Sequence, residues 1–340
     1  MNRAALAVGL TALLGLFAVN ASAQHGSIMG KVLDQDGKPV EDAVVQVSSP
    51  TGATAPLTGK TNGKGEFGIA TSQTPGPWDL TILKPGFAAY KHSEQIRATL
   101  GGVPVNLGTI KLMPPTAGSK RVVTQEELAK MQAENKALQA QFKQAVQLTE
   151  EAETASAAGD SAAASAKYDQ ALTTYNEMLA KNPDIAELHH NIGYVLGRTK
   201  KWAESAEAYA KAAKMKPDMA GDYASAAVGY ANSNQRDKAI EILNEGVKEN
   251  PTNARLLVSL GEFYYNGAQY TEATVALKKA QELDPNSADP LYFLGMIAVS
   301  QGRTQECIAL LEKYLSLGPT NTNSVQAAKG VLSALKPAKK

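Results

Sequence analysis

Residues 186–217 read AELHHNIGYVLGRTKKWAESAEAYAKAAKMKP, and residues 220–251 read AGDYASAAVGYANSNQRDKAIEILNEGVKENP, the same pattern displaced by 34 positions. Of the seven prolines after Pro115, five keep that spacing: Pro183, Pro217, Pro251, Pro285 and Pro319. Twelve residues before each proline stands a small residue, Ala171, Ser205, Ala239, Ala273 and Cys307. Twenty-four residues before each stands another, Gly159, Gly193, Ala227, Gly261 and Gly295. Two small positions in fixed phase suit two antiparallel helices whose backbones cross closely, and the proline ends the second helix before the next unit begins. Eight residues before the prolines the side chains are large: Tyr175, Tyr209, Leu243, Leu277 and Leu311.

These residues resemble the tetratricopeptide repeat family, with four clear units from Ala186 to Leu317 and a divergent first unit from Ala152 to Asp184. In that first unit the Ala-rich segment Ser161–Ala166 is a candidate extension of the second helix by about two turns. Val325, Ala328, Val331 and Leu335 repeat the apolar spacing once more without a second helix, which suits a cap on the last core face.

Upstream, Thr124 and Glu127 stand in capping-box relation, with Val123 able to staple against Leu128. The stretch from Thr124 to Ala157 lacks Gly and Pro and predicts a helix of about 50 Å, ended by Gly159-Asp160. Its apolar residues Leu128, Met131, Leu138, Phe142 and Ala145 leave two readings open: a parallel coiled-coil homodimer through residues 124–157 with Asn135 in its core, or a helix lying along the first repeat. Before it, Met113-Pro114-Pro115-Thr116-Ala117-Gly118-Ser119 reads as a linker across which few contacts are expected.

From Gly26 to Leu112 short alternating runs such as Ala43-Val44-Val45-Gln46-Val47 and Leu80-Thr81-Ile82-Leu83 lie between Gly, Pro and Asp clusters, the pattern of a small all-β sandwich. Asp34-Gln35-Asp36-Gly37-Lys38-Pro39 and Asn62-Gly63-Lys64-Gly65 are its turn signals. Gly30-Lys31-Val32-Leu33-Asp34, Gly37, Pro39, Ala43, Val45, Thr61-Asn62, Gly65, Phe67 and Pro85-Gly86-Phe87 resemble the carboxypeptidase regulatory-like domain. The resemblance implies a transthyretin-like sandwich of seven strands, itself non-catalytic; related carbohydrate-binding-like folds sometimes bind sugar.

Arg3, the apolar run Ala4–Val19 and Ala21-Ser22-Ala23 form a signal-peptide pattern, with Gln24 the expected mature N-terminus. The run is shorter than the about 20 residues that a spanning helix needs, so no membrane span is expected after cleavage. Loss of Arg3 takes one from the 34 basic residues and leaves them equal to the 33 acidic ones, so no global field draws nucleic acid.

The expected organisation is multidomain: signal peptide 1–23, β-sandwich 24–112, linker 113–123, long helix 124–158, an all-α superhelical solenoid of tetratricopeptide repeats 159–319, and capping helix with tail 320–340.

Chemistry is sparse. No carboxylate pair, nucleophile triad, zinc motif or phosphate loop emerges, and no catalytic residue, cofactor or metal is assigned. His189 and His190 are adjacent, so on a helix they point about 100° apart and cannot share an ion. Asp34-Gln35-Asp36-Gly37 lacks the closing glutamate of a calcium loop. Cys307, the single cysteine, stands at a small crossing position and reads as buried packing.

The resemblance to the repeat family implies a groove lined by the first helices, at His190, Tyr194, Arg198, Val228, Asn232, Val258, Glu262, Tyr265, Tyr292 and Met296, with Glu187, Ala224, Arg255, Asn266 and Val299 at related phases. This set is mixed in character, with tyrosines and aliphatics forming an apolar strip. The expected function is a non-enzymatic protein–protein scaffold of the bacterial cell envelope, periplasmic or secreted, that takes an extended or helical partner segment in this groove. The alternative is a carbohydrate- or surface-binding protein acting through the sandwich, which calls for aromatic rings exposed on its exterior; the candidates are Phe67, Trp78, Phe87 and Tyr90.

Overall fold

The computed structural model describes residues 26–48, 57–72, 78–92, 96, 104–116 and 124–335. The signal peptide, Val123 and most of the linker lie outside them. The chain divides into two compact units, residues 1–191 and 192–340.

Among the described residues the first unit opens with seven strands: β1 (Gly26–Leu33), β2 (Val44–Ser48), β3 (Leu57–Lys60), β4 (Glu66–Ser72), β5 (Asp79–Leu83), β6 (Tyr90–Lys91) and β7 (Val105–Lys111). They form two sheets, ordered β4-β1-β7 and β3-β2-β5-β6. β1 runs antiparallel to β4 and parallel to β7, so the first and last strands of the sandwich are paired. Ile28, Val32, Val45, Val47, Leu80 and Ile82 fill the space between the sheets and are fully buried.

Both turn signals form as expected. The Asp34 carboxylate accepts the backbone N–H groups of Asp36 and Lys38 at 2.9 and 2.8 Å, and Gly37 sits at φ +82°, which makes this segment a closed Asx turn. Asn62 does the same for Lys64 and Glu66, both at 2.9 Å. Gly65 follows at φ +76°, where an added Cβ would lie 2.3 Å from the Val32 carbonyl. Buried Thr61 ties this region to the loop before β2 by accepting from Ala43 N–H and donating to the Val40 carbonyl.

The first unit continues with α1 (Gln125–Ala157) and α2 (Ser161–Lys181). The capping box at Thr124 and Glu127 is formed in both directions. Leu128 and Met131 pack on Val44, Leu83 and Ala89 of the sandwich, and Phe142 meets the Tyr175 ring edge-on at 6.1 Å. The Glu153 carboxylate accepts the Tyr168 hydroxyl, and Lys167 pairs with Glu151 at 2.6 Å. Three of the residues that a coiled coil would need, Leu128, Met131 and Phe142, are thus in contacts within one chain, and α1 lies along α2. The expectation of few contacts across Pro114-Pro115 needs correction for the same reason: the start of α1 covers the outer face of β2 and β5.

The helices that follow are α3 (Ala186–Arg198), α4 (Trp202–Met215), α5 (Ala220–Asn232), α6 (Arg236–Glu249), α7 (Ala254–Asn266), α8 (Tyr270–Leu283), α9 (Asp289–Ser300), α10 (Thr304–Ser316) and α11 (Thr322–Leu335). All five residues twelve before the prolines are buried. The glycines 24 before them are pressed by the large residue of the paired helix. A Cβ on Gly193 would meet Tyr209 at 2.9 Å, one on Gly261 would meet Leu277 at 2.5 Å, and one on Gly295 would meet Leu311 at 2.6 Å.

Gly159 is the exception. It is exposed at φ +84° with nothing within 4 Å of an added Cβ, and it serves as the stop of α1 rather than as a crossing position. Its N–H bonds the Ser156 carbonyl and that of Asp160 bonds Ala155, the paired bonds of a Schellman turn. The same pair recurs where the regular first helices end, with Lys200, Asn234, Ala268 and Gly302 at φ +62°, +61°, +56° and +73°. The first unit makes this turn seven residues early in phase, and α2 is 21 residues long where α4 is 14. Those seven residues are the two extra turns expected from the Ala-rich segment.

Candidate partner-binding face

The first helices of successive repeats touch in the second unit, α5 against α7 and α7 against α9. Their orientation is set from behind, since Gly261 and Gly295 let Leu277 and Leu311 seat directly on the backbones of α7 and α9. On α5, α7 and α9 the expected groove positions are half-buried or exposed, and none is fully buried.

Across α7 and α9 the rings form a continuous row. Tyr265 lies 6.1 Å from Tyr270 and 5.6 Å from Phe293, and Tyr292 lies 5.2 Å from Phe293 and 5.4 Å from Tyr314, centroid to centroid. Such separations are those of attractive tilted and edge contacts. Tyr314 is wholly buried, while Tyr265, Phe293 and Tyr292 are half-buried. The row therefore runs from the core to the surface. Desolvation, with Tyr292 and Tyr270 beside it, raises the Tyr265 phenol above its ordinary pKa.

Glu262 is exposed on α7, one turn before Tyr265, and Asp289 is exposed at the start of α9. Desolvation raises the Glu262 carboxyl, and the charge of Asp289 raises it further. Asp289 also adds to the upward shift of the Tyr314 phenol, which burial dominates.

Other expected positions distribute differently. Val228 on α5 is 51% exposed, a large value for an aliphatic side chain, and Asn232 at the end of α5 is exposed. Val258 and Met296 are half-buried, and Arg198 is exposed. Tyr194 is half-buried and packs against the core cluster built around Tyr209, Tyr223 and Leu243, so part of its ring serves folding. Tyr265 and Tyr292 likewise lean on the clusters around Leu277 and Leu311. His190, half-buried, belongs to the first compact unit, and His189 beside it is buried with Nε2 3.3 Å from the Pro183 carbonyl oxygen.

The sequence reading omits Phe293, Tyr270, Tyr314 and Asp289. Asp289 had a signal, for it stands 34 residues after Arg255, which the reading includes. Tyr270 and Tyr314 belong to second helices, where phase alone assigns them to packing.

Outside this face the chemistry is quiet. Cys307 is fully buried and burial raises its thiol, which disfavours the reactive thiolate. Among the described residues no group of three or more His, Cys, Asp or Glu side chains could hold a metal, and no helix is long and apolar enough to cross a membrane. In the sandwich, Phe67 and Trp78 are core residues, and Phe87 and Tyr90 are packed partly against the same core, so none of the four is an open stacking platform.

Residues 27–112 match the carboxypeptidase regulatory-like domain. Residues 156–220, 225–288 and 266–332 match tetratricopeptide repeat families. Neither is a catalytic family. No curated protein matches the chain. Among solved structures, it is similar to MamA at 18% identity, with 52% of this chain and 96% of that one covered and a TM-score of 0.42. It is similar to YrrB, described as a TPR protein with an unusual peptide-binding site, at 19% identity over 59% of this chain and 97% of that one, TM-score 0.42. TTC0263, a TPR protein of Thermus thermophilus, aligns at 20% identity over 56% of this chain and 99% of that one, TM-score 0.41. The assignment of the helical array rests on the repeat matches and on the helix pairs themselves.

Proposed function

We propose that this tetratricopeptide repeat protein, whose N-terminal sandwich is a carboxypeptidase regulatory-like domain, is a non-enzymatic scaffold of the bacterial cell envelope that holds a segment of a partner protein on the first helices of its repeats. The observation that carries this reading is the row of half-buried rings on α7 and α9, with Val228 51% exposed on the neighbouring α5. Aromatic surface of this kind supplies large contact area at low entropic cost. Export to the periplasm or beyond it is part of the proposal and rests on Arg3, the apolar run and Ala21-Ser22-Ala23; the mass of the chain recovered from an envelope fraction should begin at Gln24.

Site-directed photo-crosslinking tests the binding face. A benzophenone amino acid at Val228 should capture a discrete protein adduct, whereas one at Val275, 66% exposed on the second helix α8, should not. Equal yields at the two positions, or an adduct at Val275 alone, overturn the reading.

A further inference from the structure

We infer that the start of α1 is a clasp that opens and closes on the sandwich while the sandwich and the α1–α2 pair both stay folded. The joint is made of apolar side chains, Leu128 and Met131 of α1 against Val44, Leu83 and Ala89. It is separate from the core of the sandwich. Val45, Val47, Leu80 and Ile82 belong to the cluster that fills the space between the sheets, and among the described residues no part of α1 belongs to it. Val44 pairs with Leu83 and Val45 with Ile82 across β2 and β5, so the first pair faces α1 and the second faces the opposite sheet. The helix can therefore leave without uncovering the inner core.

On the other side, α1 keeps its own anchor. Its buried residues are Leu128, then Phe142, Ala145, Val146, Thr149 and Ala152, and none of residues 129–141 between them is buried. Phe142 meets Tyr175 edge-on at 6.1 Å, and Lys167 pairs with Glu151 at 2.6 Å, so the second half of the helix is held by α2. The first turn is held by its own capping box, with Thr124 N–H donating to Glu127 at 2.9 Å and Glu127 N–H donating to Thr124 at 3.1 Å. Two parts that each close their own core, joined only by a small satellite cluster, separate at a lower free energy than either unfolds. Opening bares Val44, Leu83 and Ala89 on the sandwich and Leu128 and Met131 on the helix. A ligand that binds only the bared face would hold the clasp open.

Thiol labelling of the full chain under native conditions tests the clasp. Cys307→Ser removes the single native thiol, and Ser205 already fills the equivalent buried position in α4. In that background Val44→Cys and Val45→Cys make the same change at adjacent buried residues of β2, one against α1 and one between the sheets. The Val44→Cys thiol should react with an aromatic disulfide reagent at least about a hundredfold faster than the Val45→Cys thiol. Its rate should change little in low urea, whereas that of Val45→Cys should rise steeply because it waits for unfolding. Adding Leu128→Ala/Met131→Ala should speed labelling of Val44→Cys about tenfold and leave Val45→Cys within about twofold. If a β2 variant fails to fold, Leu83→Cys and Ile82→Cys give the same comparison on β5. Equal rates with one urea dependence overturn the clasp, because α1 and the sandwich then open only as one cooperative unit. A fast Val44→Cys rate that Leu128→Ala/Met131→Ala leaves unchanged also overturns it, because the thiol is then reached without movement of α1.

Discussion

The sandwich and the repeat array both close a fully buried core, but they distribute its information in opposite ways. In the sandwich each core position is unique, and the first strand finds its partners in β4 and in β7, some 80 residues away. In the array core contacts recur at 34 residues or a multiple of it, as Gly193 under Tyr209, Gly261 under Leu277 and Gly295 under Leu311 show. A fold of the first kind is held by long-range closure and is lost as a whole. One of the second kind is close to a sum of neighbouring units.

The largest effect that could break this comparison comes from core truncation in each region. Leu80 and Leu277 are both wholly buried, so Leu80→Ala and Leu277→Ala should each cost about 2–5 kcal/mol. The two tryptophans separate the readouts, for Trp78 is buried in the sandwich and Trp202 stands at the start of α4. With the other tryptophan replaced by Phe, Leu80→Ala should lower the whole Trp78 transition in one step. Leu277→Ala should broaden the helical transition followed by circular dichroism and open the nearest repeats first in hydrogen exchange. A single sharp helical transition in Leu277→Ala would show that the array melts like the sandwich.

A somewhat smaller effect is expected where α1 meets the sandwich. Leu128→Ala removes its contact with Val44 and Leu83 and should cost about 2 kcal/mol, the low end for a buried leucine at the edge of a cluster. It should also speed protease cleavage between Met113 and Arg121. Sedimentation should give monomer for both wild type and variant; a wild-type dimer that Leu128→Ala dissociates would return α1 to the coiled-coil reading.

Substitution of the array's glycines sharpens the contrast further. Gly261→Ala drives a Cβ to within 2.5 Å of Leu277 and should cost about 1–3 kcal/mol through overpacking. Gly330→Ala, at an exposed helical site with nothing within 4 Å of the new Cβ, should stabilise by about 0.5–1 kcal/mol through helix propensity. Thermal melts of the two variants should therefore move in opposite directions, and two shifts of the same sign would mean that the crossing is looser than its contacts imply.

How much of this was legible in the sequence follows from the same contrast. The helix pairs were legible because five prolines and ten small residues state one spacing repeatedly, and the sandwich turns were legible because Asp34, Asn62 and their glycines act locally. Gly159 shows the limit of phase. It lands on the 34-residue grid, yet the local bonds of the helix stop decide its role. Leu128 and Met131 carried apolar spacing without naming their partner, because an amphipathic face is equally satisfied by a second copy or by Val44 and Leu83. The aromatic row was half visible, since Tyr265 and Tyr292 fall at first-helix phases while Tyr270 and Tyr314 reach it from second helices.

The smallest expected effect lies in the turns between paired helices. Lys200, Asn234, Ala268 and Gly302 occupy the same left-handed position in four successive repeats, and each supplies one bond of the Schellman pair. A left-handed conformation costs an L-residue with a Cβ roughly 1–2 kcal/mol, less for Asn, and nothing for Gly. Gly in the unfolded chain has more freedom to lose, which offsets about 0.5–1 kcal/mol of the gain. Ala268→Gly should therefore stabilise the array by about 0.5–1 kcal/mol, and the exposed Ala268 methyl leaves no packing to sacrifice. Asn234→Gly should gain less, because asparagine already tolerates this region. Gly302→Ala should reverse the effect and destabilise by a similar amount. The three variants form a graded series at one position of a repeated turn, which the sandwich has no means to offer. Denaturant midpoints that fail to rise for Ala268→Gly and to fall for Gly302→Ala would show that the repeats, for all their common spacing, do not share one turn energy.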